Sequence, residues 1–189
     1  MLSKPVQDIL NDQIKHEFYS AYFYLSMAAH CETENLAGCA RWLRLQAQEE
    51  QSHALKLFDY INERGGQVTL QAIAQPPAEF TSVLDLFQQV LEHEKKVTGL
   101  INRCYETALK DNDYPTSIML QWFIEEQVEE EKNATAIVEQ IKMVGASGAA
   151  LYMLDHQLGA RAGLAVGRDG SRTLAPRGVE RWRVPVFNA

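Results

Sequence analysis

Prolines divide the first 160 residues into long segments that contain no helix breaker. Before residue 161, proline occurs at Pro5, at the Pro76-Pro77 pair and at Pro115, each at the edge of a segment with helical hydrophobic periodicity. A proline in the first turn of a helix does little harm, because its missing N–H would have no partner there. The pattern predicts four helices of roughly 30 residues, each about 45 Å long.

Turn-forming residues set the expected ends of these helices. Asn35 is a favourable N-cap for the second helix, and the Gly65-Gly66 pair is a strong signal for its end. Residues 67–80 cannot be helical throughout, but they are long enough to return along the bundle as a crossover. We therefore expect an all-α, four-helix bundle with a long crossover between its second and third helices and a short fifth helix. The expected helices cover, in chain order, about residues 5–33, 35–64, 82–111, 115–144 and 149–158.

The net charge is divided unevenly along the chain. Of the total of -7, residues 161–189 carry +4, from six arginines against Asp169 and Glu180, which leaves -11 on residues 1–160. An acidic body suits a protein that handles cations and argues against nucleic acid as its partner. We expect the bundle and its fifth helix over residues 1–160, followed by a basic, Arg/Gly-containing C-terminal extension over residues 161–189.

The sequence contains nothing typical of a membrane span or a secretory leader. No run of about 18 uncharged apolar residues occurs, and the N-terminus lacks the apolar stretch of a signal peptide. The three cysteines are an odd number without a Cys-x-x-Cys pair, which favours reduced thiols in the core. These features predict a cytoplasmic protein with no membrane partner.

Each predicted long helix carries an apolar stripe that a carboxylate interrupts near its midpoint. In the second helix an imidazole follows that carboxylate by three residues, so both side chains lie on one face. A single Glu-x-x-His pair is a weak signal, but here all four stripes are interrupted at the same height. In a bundle of equal helices the midpoints meet at one level of the core. The side chains expected to converge there are Glu17, Glu50, His53, Glu94 and Glu130.

Carboxylates buried together require protons or cations. Each unpaired carboxylate in a core costs several kcal/mol, and no Lys or Arg lies on these stripes at that depth. Glutamates with one imidazole suit iron or manganese, with zinc as a common substitute. In the di-metal carboxylate design, two helices each give a Glu and two give Glu-x-x-His. The fourth helix offers Gln127-x-x-Glu130 instead, so we expect the second metal to be held more loosely.

Further candidate residues flank this set. Tyr24 lies seven residues after Glu17 on the same face. It is expected to be either a core tyrosine with a satisfied hydroxyl, or a hydrogen-bond or redox partner of a bridging carboxylate. In the acidic run at residues 125–131, Glu125 and Glu131 are expected to face solvent. Three other glutamates are candidates for a further cation site beside the central pair: Glu49, Glu126 and Glu129.

Residues 1 to about 160 resemble a bacterial non-haem ferritin, over the whole bundle and the short fifth helix. The resemblance implies an iron storage protein with ferroxidase activity, in which two Fe(II) bind inside one subunit and O2 or H2O2 oxidises them. It also implies a hollow homo-oligomeric cage of twenty-four subunits, with the fifth helix about the fourfold axes and Fe(III) deposited inside as mineral. The spacing of seven residues carries the resemblance: Glu17, Tyr24, Glu50, His53, Glu94, Gln127 and Glu130.

The resemblance implies a role for each residue of the central site. Glu17, Glu50 and His53 would hold the first iron. Glu50 would also bridge to a second iron, which Glu94 and Glu130 would hold.

Other roles follow from the same resemblance. Gln127 would orient the oxygen-binding side, and Tyr24 would complete the catalytic set. Gln51 stands where bacterioferritins, which are similar, carry a haem-ligating Met, so haem is not expected. A possible third iron would be held by Glu49, Glu126, Glu129 and Glu130.

Two other functions remain open at this point. One is a di-iron oxygenase or peroxidase of the same fold, which would need a substrate pocket beside the metals. Four large residues near the expected site give no sign of such a pocket: Phe18, Tyr22, Trp122 and Phe123. The other function is a cage that binds and buffers metal without oxidising it.

The Arg-rich extension is expected to pack along the cage wall or near an axis, with its arginines against acidic surface.

Overall fold

Five α-helices make up the regular structure of residues 2–145 and 147–161, which are the residues that the computed structural model describes. They are α1 (Lys4–Thr33), α2 (Ala37–Glu63), α3 (Val83–Lys110), α4 (Tyr114–Val144) and α5 (Gly148–Gly159). The predicted all-α class, with four long helices and a short fifth, is confirmed. The predicted C-terminal extension lies outside the described residues except for Arg161.

Three of the helix starts follow from the local sequence. The side chains of Ser3, Ser82 and Asp113 each accept a hydrogen bond from a backbone N–H in the first turn of α1, α3 and α4. Pro5 and Pro115 lie in the first turns of α1 and α4, where no intrahelical N–H bond is lost. Capping side chains and proline positions therefore account for where these helices begin.

The start of α2 depends on a distant part of the chain, and the prediction that Asn35 is its N-cap was wrong. Asn35 has φ 60°, a left-handed conformation typical of the turn after a helix. The N-cap position falls on Leu36, whose side chain makes no capping bond. Asp155 of α5 supplies the cap instead, since its carboxylate accepts from the N–H groups of Gly38 at 3.0 Å and Cys39 at 2.7 Å. This capping fastens α5 to the first turn of α2.

Residues 67–80 form the expected crossover, and α1 guides their path. Near the start of α1, the side chain of Asn11 donates to the carbonyl of Gln67 at 3.0 Å and accepts from the N–H of Thr69 at 2.7 Å. Further along α1, the hydroxyl of Ser26 donates to the carbonyl of Pro77 at 2.6 Å. The segment thus runs along α1 from Asn11 to Ser26. As a result, α2 stops at one end of the bundle and α3 begins at the other end.

Two apolar clusters fill the bundle, one towards each end. One contains Met27, Leu43 and Phe87, and the other contains Leu10 and Ile101, all completely buried. A layer of buried polar side chains separates them at mid-height. No described helix, over residues 2–145 and 147–161, is both long enough and apolar enough to cross a bilayer.

Candidate metal centre

The polar layer brings together the five side chains that the helical pattern placed at one height. Ligand atoms of Glu17, Glu50 and His53 lie within 4.8 Å of one another, a spacing that one metal ion can bridge. The Glu50 carboxylate and His53 Nδ1 are 3.6 Å apart, as expected for residues one helical turn apart. Glu94 and Glu130 reach the same layer from α3 and α4, and none of the five is more than 4% exposed.

Amide side chains orient two of the carboxylates. Gln13 Nε2 donates to Glu17 Oε1 at 2.9 Å, and Gln46 Nε2 donates to Glu130 Oε2 at 2.8 Å. Both glutamines are almost completely buried, so these hydrogen bonds form away from water. Gln13 and Gln46 were not among the candidate residues, because helical periodicity does not show which carboxylate a buried amide will meet.

Glu94 receives hydrogen bonds from two helices. The hydroxyl of Tyr24 donates to Glu94 Oε1, and Gln127 Nε2 donates to Glu94 Oε2 at 3.2 Å. Tyr24 is completely buried, so it is the core tyrosine with a satisfied hydroxyl that was one of the two alternatives, and the bond it makes is to a carboxylate of the cluster. That carboxylate is Glu94 and not Glu50, which was the bridging candidate.

Burial raises the pKa of the carboxyl groups in this cluster. Burial, together with the neighbouring carboxylates, raises the pKa of Glu17 and of Glu50 well above the ordinary value. Burial likewise raises the pKa of Glu94, and burial with the charges of Glu49 and Glu94 raises the pKa of Glu130 to about 8. A metal that binds Glu130 at neutral pH must therefore displace a proton, because carboxylate ligands coordinate in the ionised form.

A second group of possible ligands adjoins the first. Ligand atoms of Glu49, His53 and Glu126 lie within 4.8 Å of one another, and both glutamates are buried. Glu129, the remaining candidate for a further site, lies on the exposed side of α4. The acidic run of α4 therefore divides between the interior and the surface.

The two glutamates of this run that were expected to face solvent behave differently. Glu125 is exposed as predicted. The prediction was wrong for Glu131, which is half-buried and accepts a 2.6 Å hydrogen bond from the hydroxyl of Thr98. Thr98 also lies 3.4 Å from Gln127 Nε2, so Glu131 belongs to the hydrogen-bonded surroundings of the cluster.

An arginine from outside the helical stripes, which themselves carry no Lys or Arg at this depth, reaches the edge of the polar layer. Arg161 Nη2 lies 2.8 Å from Glu49 Oε2, and its Nη1 donates to Gln46 Oε1. The guanidinium carbon is 5.2 Å from the centre of the Trp42 ring. Helical periodicity gave no sign of this contact, because Arg161 follows α5, which no stripe connects to α2.

Aromatic side chains close one side of His53. The rings of Trp122 and Phe123 stand edge-on to the imidazole at 5.3 and 5.9 Å. Tyr22, which was expected to help fill this region, is 53% exposed.

A cavity lies between α1 and α3 behind Gln13. Its volume of about 120 Å³ is well below the ~300 Å³ of the smallest pockets that usually bind organic ligands.

Four long helices with carboxylates and one imidazole buried at mid-height define the class of ferritin-like carboxylate bundles. Residues 7–144 match the ferritin family, which is described as a ferritin-like domain. The chain belongs to this family, as the resemblance in its sequence indicated.

Individual relatives match this chain over nearly their full lengths. The chain is similar to a bacterial non-heme ferritin of Staphylococcus aureus, with 39% identity over 161 residues, 85% of this chain and 97% of that one. The corresponding protein of Campylobacter jejuni is 43% identical over 158 residues, 84% of this chain and 95% of that one. An open-pore ferritin from Archaeoglobus fulgidus superposes with a TM-score of 0.85 and 44% identity, covering 86% of this chain and 100% of that one.

Proposed function

We propose that this protein stores iron and oxidises it at a site inside each subunit. The observation that carries the proposal is the buried group of Glu17, Glu50 and His53, whose ligand atoms lie within 4.8 Å of one another beside Glu94 and Glu130. Iron is the substrate of this reaction and the material that is stored. Hard carboxylate oxygens with one imidazole form a donor set that suits Fe(II) and, more strongly, Fe(III).

The proposed division of ligands follows the helices. Glu17, Glu50 and His53 hold the first Fe(II), and Glu50 extends towards a second Fe(II) held by Glu94 and Glu130. Each carboxylate that binds gives up its proton, which partly offsets the incoming positive charge.

The surrounding donors hold the ligands before iron arrives. Gln13 and Gln46 each bond one oxygen of a ligand carboxylate, which leaves the other oxygen available. Tyr24 of α1 and Gln127 of α4 hold Glu94 through its two oxygens, one bond to each. During turnover each Fe(II) loses one electron, and O2 takes up the pair with two protons to leave as H2O2, or H2O2 takes up the pair with two protons to leave as water.

We further propose that the subunits assemble into a twenty-four-subunit cage that holds the Fe(III) mineral in the cytoplasm. The large apolar side chains exposed on the single subunit are candidates for contacts between subunits. Ile118 is 66% exposed, and Tyr152 and Met153 on α5 are each 72% exposed. In the proposed cage Tyr152 and Met153 pack about the fourfold axes.

Size-exclusion chromatography followed by Fe(II) oxidation, with and without O2, tests this function. A cage-sized particle that oxidises Fe(II) and retains the Fe(III) supports it. A small oligomer would favour a di-iron oxygenase, and a cage that binds Fe(II) without oxidising it would favour metal buffering. Anomalous X-ray scattering at the iron edge after a brief Fe(II) soak would locate the ions among the named ligands.

A further inference from the structure

Arg161 connects the end of α5 to the second group of possible ligands. Its guanidinium lies 2.8 Å from the Glu49 carboxylate, and that glutamate also belongs to the cluster with His53 and Glu126. A guanidinium has only N–H donors and remains protonated at every physiological pH. It therefore places a permanent positive charge where a cation bound by Glu49 would lie.

The position of Arg161 is built into the packing of α5. Asp155 caps α2, and a Cβ atom on Gly38 would lie 1.7 Å from the backbone oxygen of Asp155, so only glycine permits this approach. One turn beyond Asp155, Gly159 passes close to Gly38 as well. The face of Trp42 then supports the guanidinium, an arrangement that favours arginine.

The contact is also linked to the central cluster through one amide. Gln46 Oε1 accepts from Arg161, while its Nε2 donates to Glu130 Oε2 at 2.8 Å. Because the Gln46 oxygen accepts one hydrogen bond and its nitrogen donates another, the orientation of this amide is fixed. If Arg161 moves away, Gln46 loses one of the two bonds that hold it against Glu130.

We propose that Arg161, held in place by α5, is a counter-cation paired with the Glu49 carboxylate. Its guanidinium must move away before a metal ion binds between Glu49 and Glu126. The inference rests on the proposed function, because it concerns the same metal centre. Arg161 is a positioning residue in this scheme, since it acts through Glu49 and Gln46 and binds no metal itself. Displacement is feasible because the Arg161 side chain is 29% exposed and can move into water.

Calorimetric titration of the metal-free, full-length protein with Zn²⁺ tests the proposal without redox turnover. Arg161→Gln removes the positive charge, and we expect it to lower the dissociation constant of the Glu49 site about tenfold, the size of one charge-assisted hydrogen bond. Arg161→Lys keeps the charge, so its affinity should lie closer to that of the wild type. Glu49→Gln should remove the additional site whether or not Arg161 is present.

The outcomes separate this inference from the proposed function. If wild type and Arg161→Gln bind zinc identically at both the central cluster and Glu49, the counter-cation role is wrong and the proposed function stands. If the wild type binds no zinc at the central cluster, the proposed function fails and the inference fails with it. A purely structural role for Arg161 would weaken zinc binding at both sites or leave both unchanged, which would also contradict the proposal.

A crystal of Arg161→Gln soaked in Zn²⁺ gives an independent measurement. Anomalous scattering should place a zinc ion between Glu49 and Glu126 at a lower soak concentration than the wild type requires. Equal occupancy in both proteins at every concentration would overturn the proposal. Size-exclusion chromatography of the same preparations checks that the variant is assembled like the wild type.

Discussion

The amide of Gln46 donates a 2.8 Å hydrogen bond to the carboxylate of Glu130, joining α2 to α4 inside the polar layer. Gln46→Met retains a side chain of similar size but leaves this buried carboxylate without its donor. We expect the metal-free protein to lose about 1–3 kcal/mol of stability, the usual cost of an unsatisfied buried group. Thermal unfolding measures the change, with Gln48→Met on the exposed face of α2 as the matched control. An equal loss in the control would show that the Gln46 bond has no special role.

The central ligands should be needed for oxidation and not for folding. Glu50→Ala and His53→Ala each remove a proposed iron ligand, so rapid Fe(II) oxidation should fall to the uncatalysed level. The particle should still assemble, because removing Glu50 also relieves repulsion among buried carboxylates. Stopped-flow absorbance of Fe(III) formation measures the rate, and Glu125→Ala on the exposed face of α4 is the control. Normal oxidation by Glu50→Ala would contradict the proposed bridging role.

The stability of the metal-free protein should decrease as pH rises from about 5 to about 8. Glu130 has a folded-state pKa of about 8 against an ordinary value of 4.5, so the folded protein binds more protons than the unfolded chain between these values. Folding is therefore most favoured below the unfolded pKa, and that advantage is lost as pH rises through the folded pKa. Each unit by which a pKa is raised corresponds to about 1.4 kcal/mol.

Melting temperatures across this pH range, with and without Zn²⁺, measure the effect. Glu130→Gln should reduce the pH dependence, because the amide does not titrate. Zinc should also reduce it, since the metal replaces the protons on the carboxylates. A Glu130→Gln variant with the full pH dependence of the wild type would show that Glu130 is not responsible.

The contact between α5 and α2 should tolerate no side chain at residue 38. Gly38→Ala places a methyl group 1.7 Å from the backbone of Asp155, so α5 must move and α2 must lose its cap. We expect faster hydrogen exchange in α5 and a stability loss of at least about 1 kcal/mol, the usual value of an N-cap. Gly99→Ala is the matched control, because a Cβ atom there meets nothing within 4 Å. An alanine at that helical position should stabilise by about 0.5–1 kcal/mol.

The four long helices and their inward faces were predictable because the signals are local. Proline positions, capping side chains such as Ser82, and a 3.6-residue period act within one helix and need no knowledge of its neighbours. The same period placed Glu17 and Glu94 on buried faces, which made a metal centre the expected way to stabilise the core. The error at Asn35 arose because a favourable capping residue can also end the preceding helix in a left-handed conformation.

By itself, the sequence determined which side chains each helix turns inward, and therefore that carboxylates and an imidazole would share one layer of the core. Only the tertiary structure decided which donor meets which carboxylate: Gln46 with Glu130, Tyr24 with Glu94, and Arg161 with Glu49. Helical periodicity acts over a few residues, whereas these contacts join positions 70 to 112 residues apart in the chain. Their geometry depends on how whole helices pack, which no local pattern specifies.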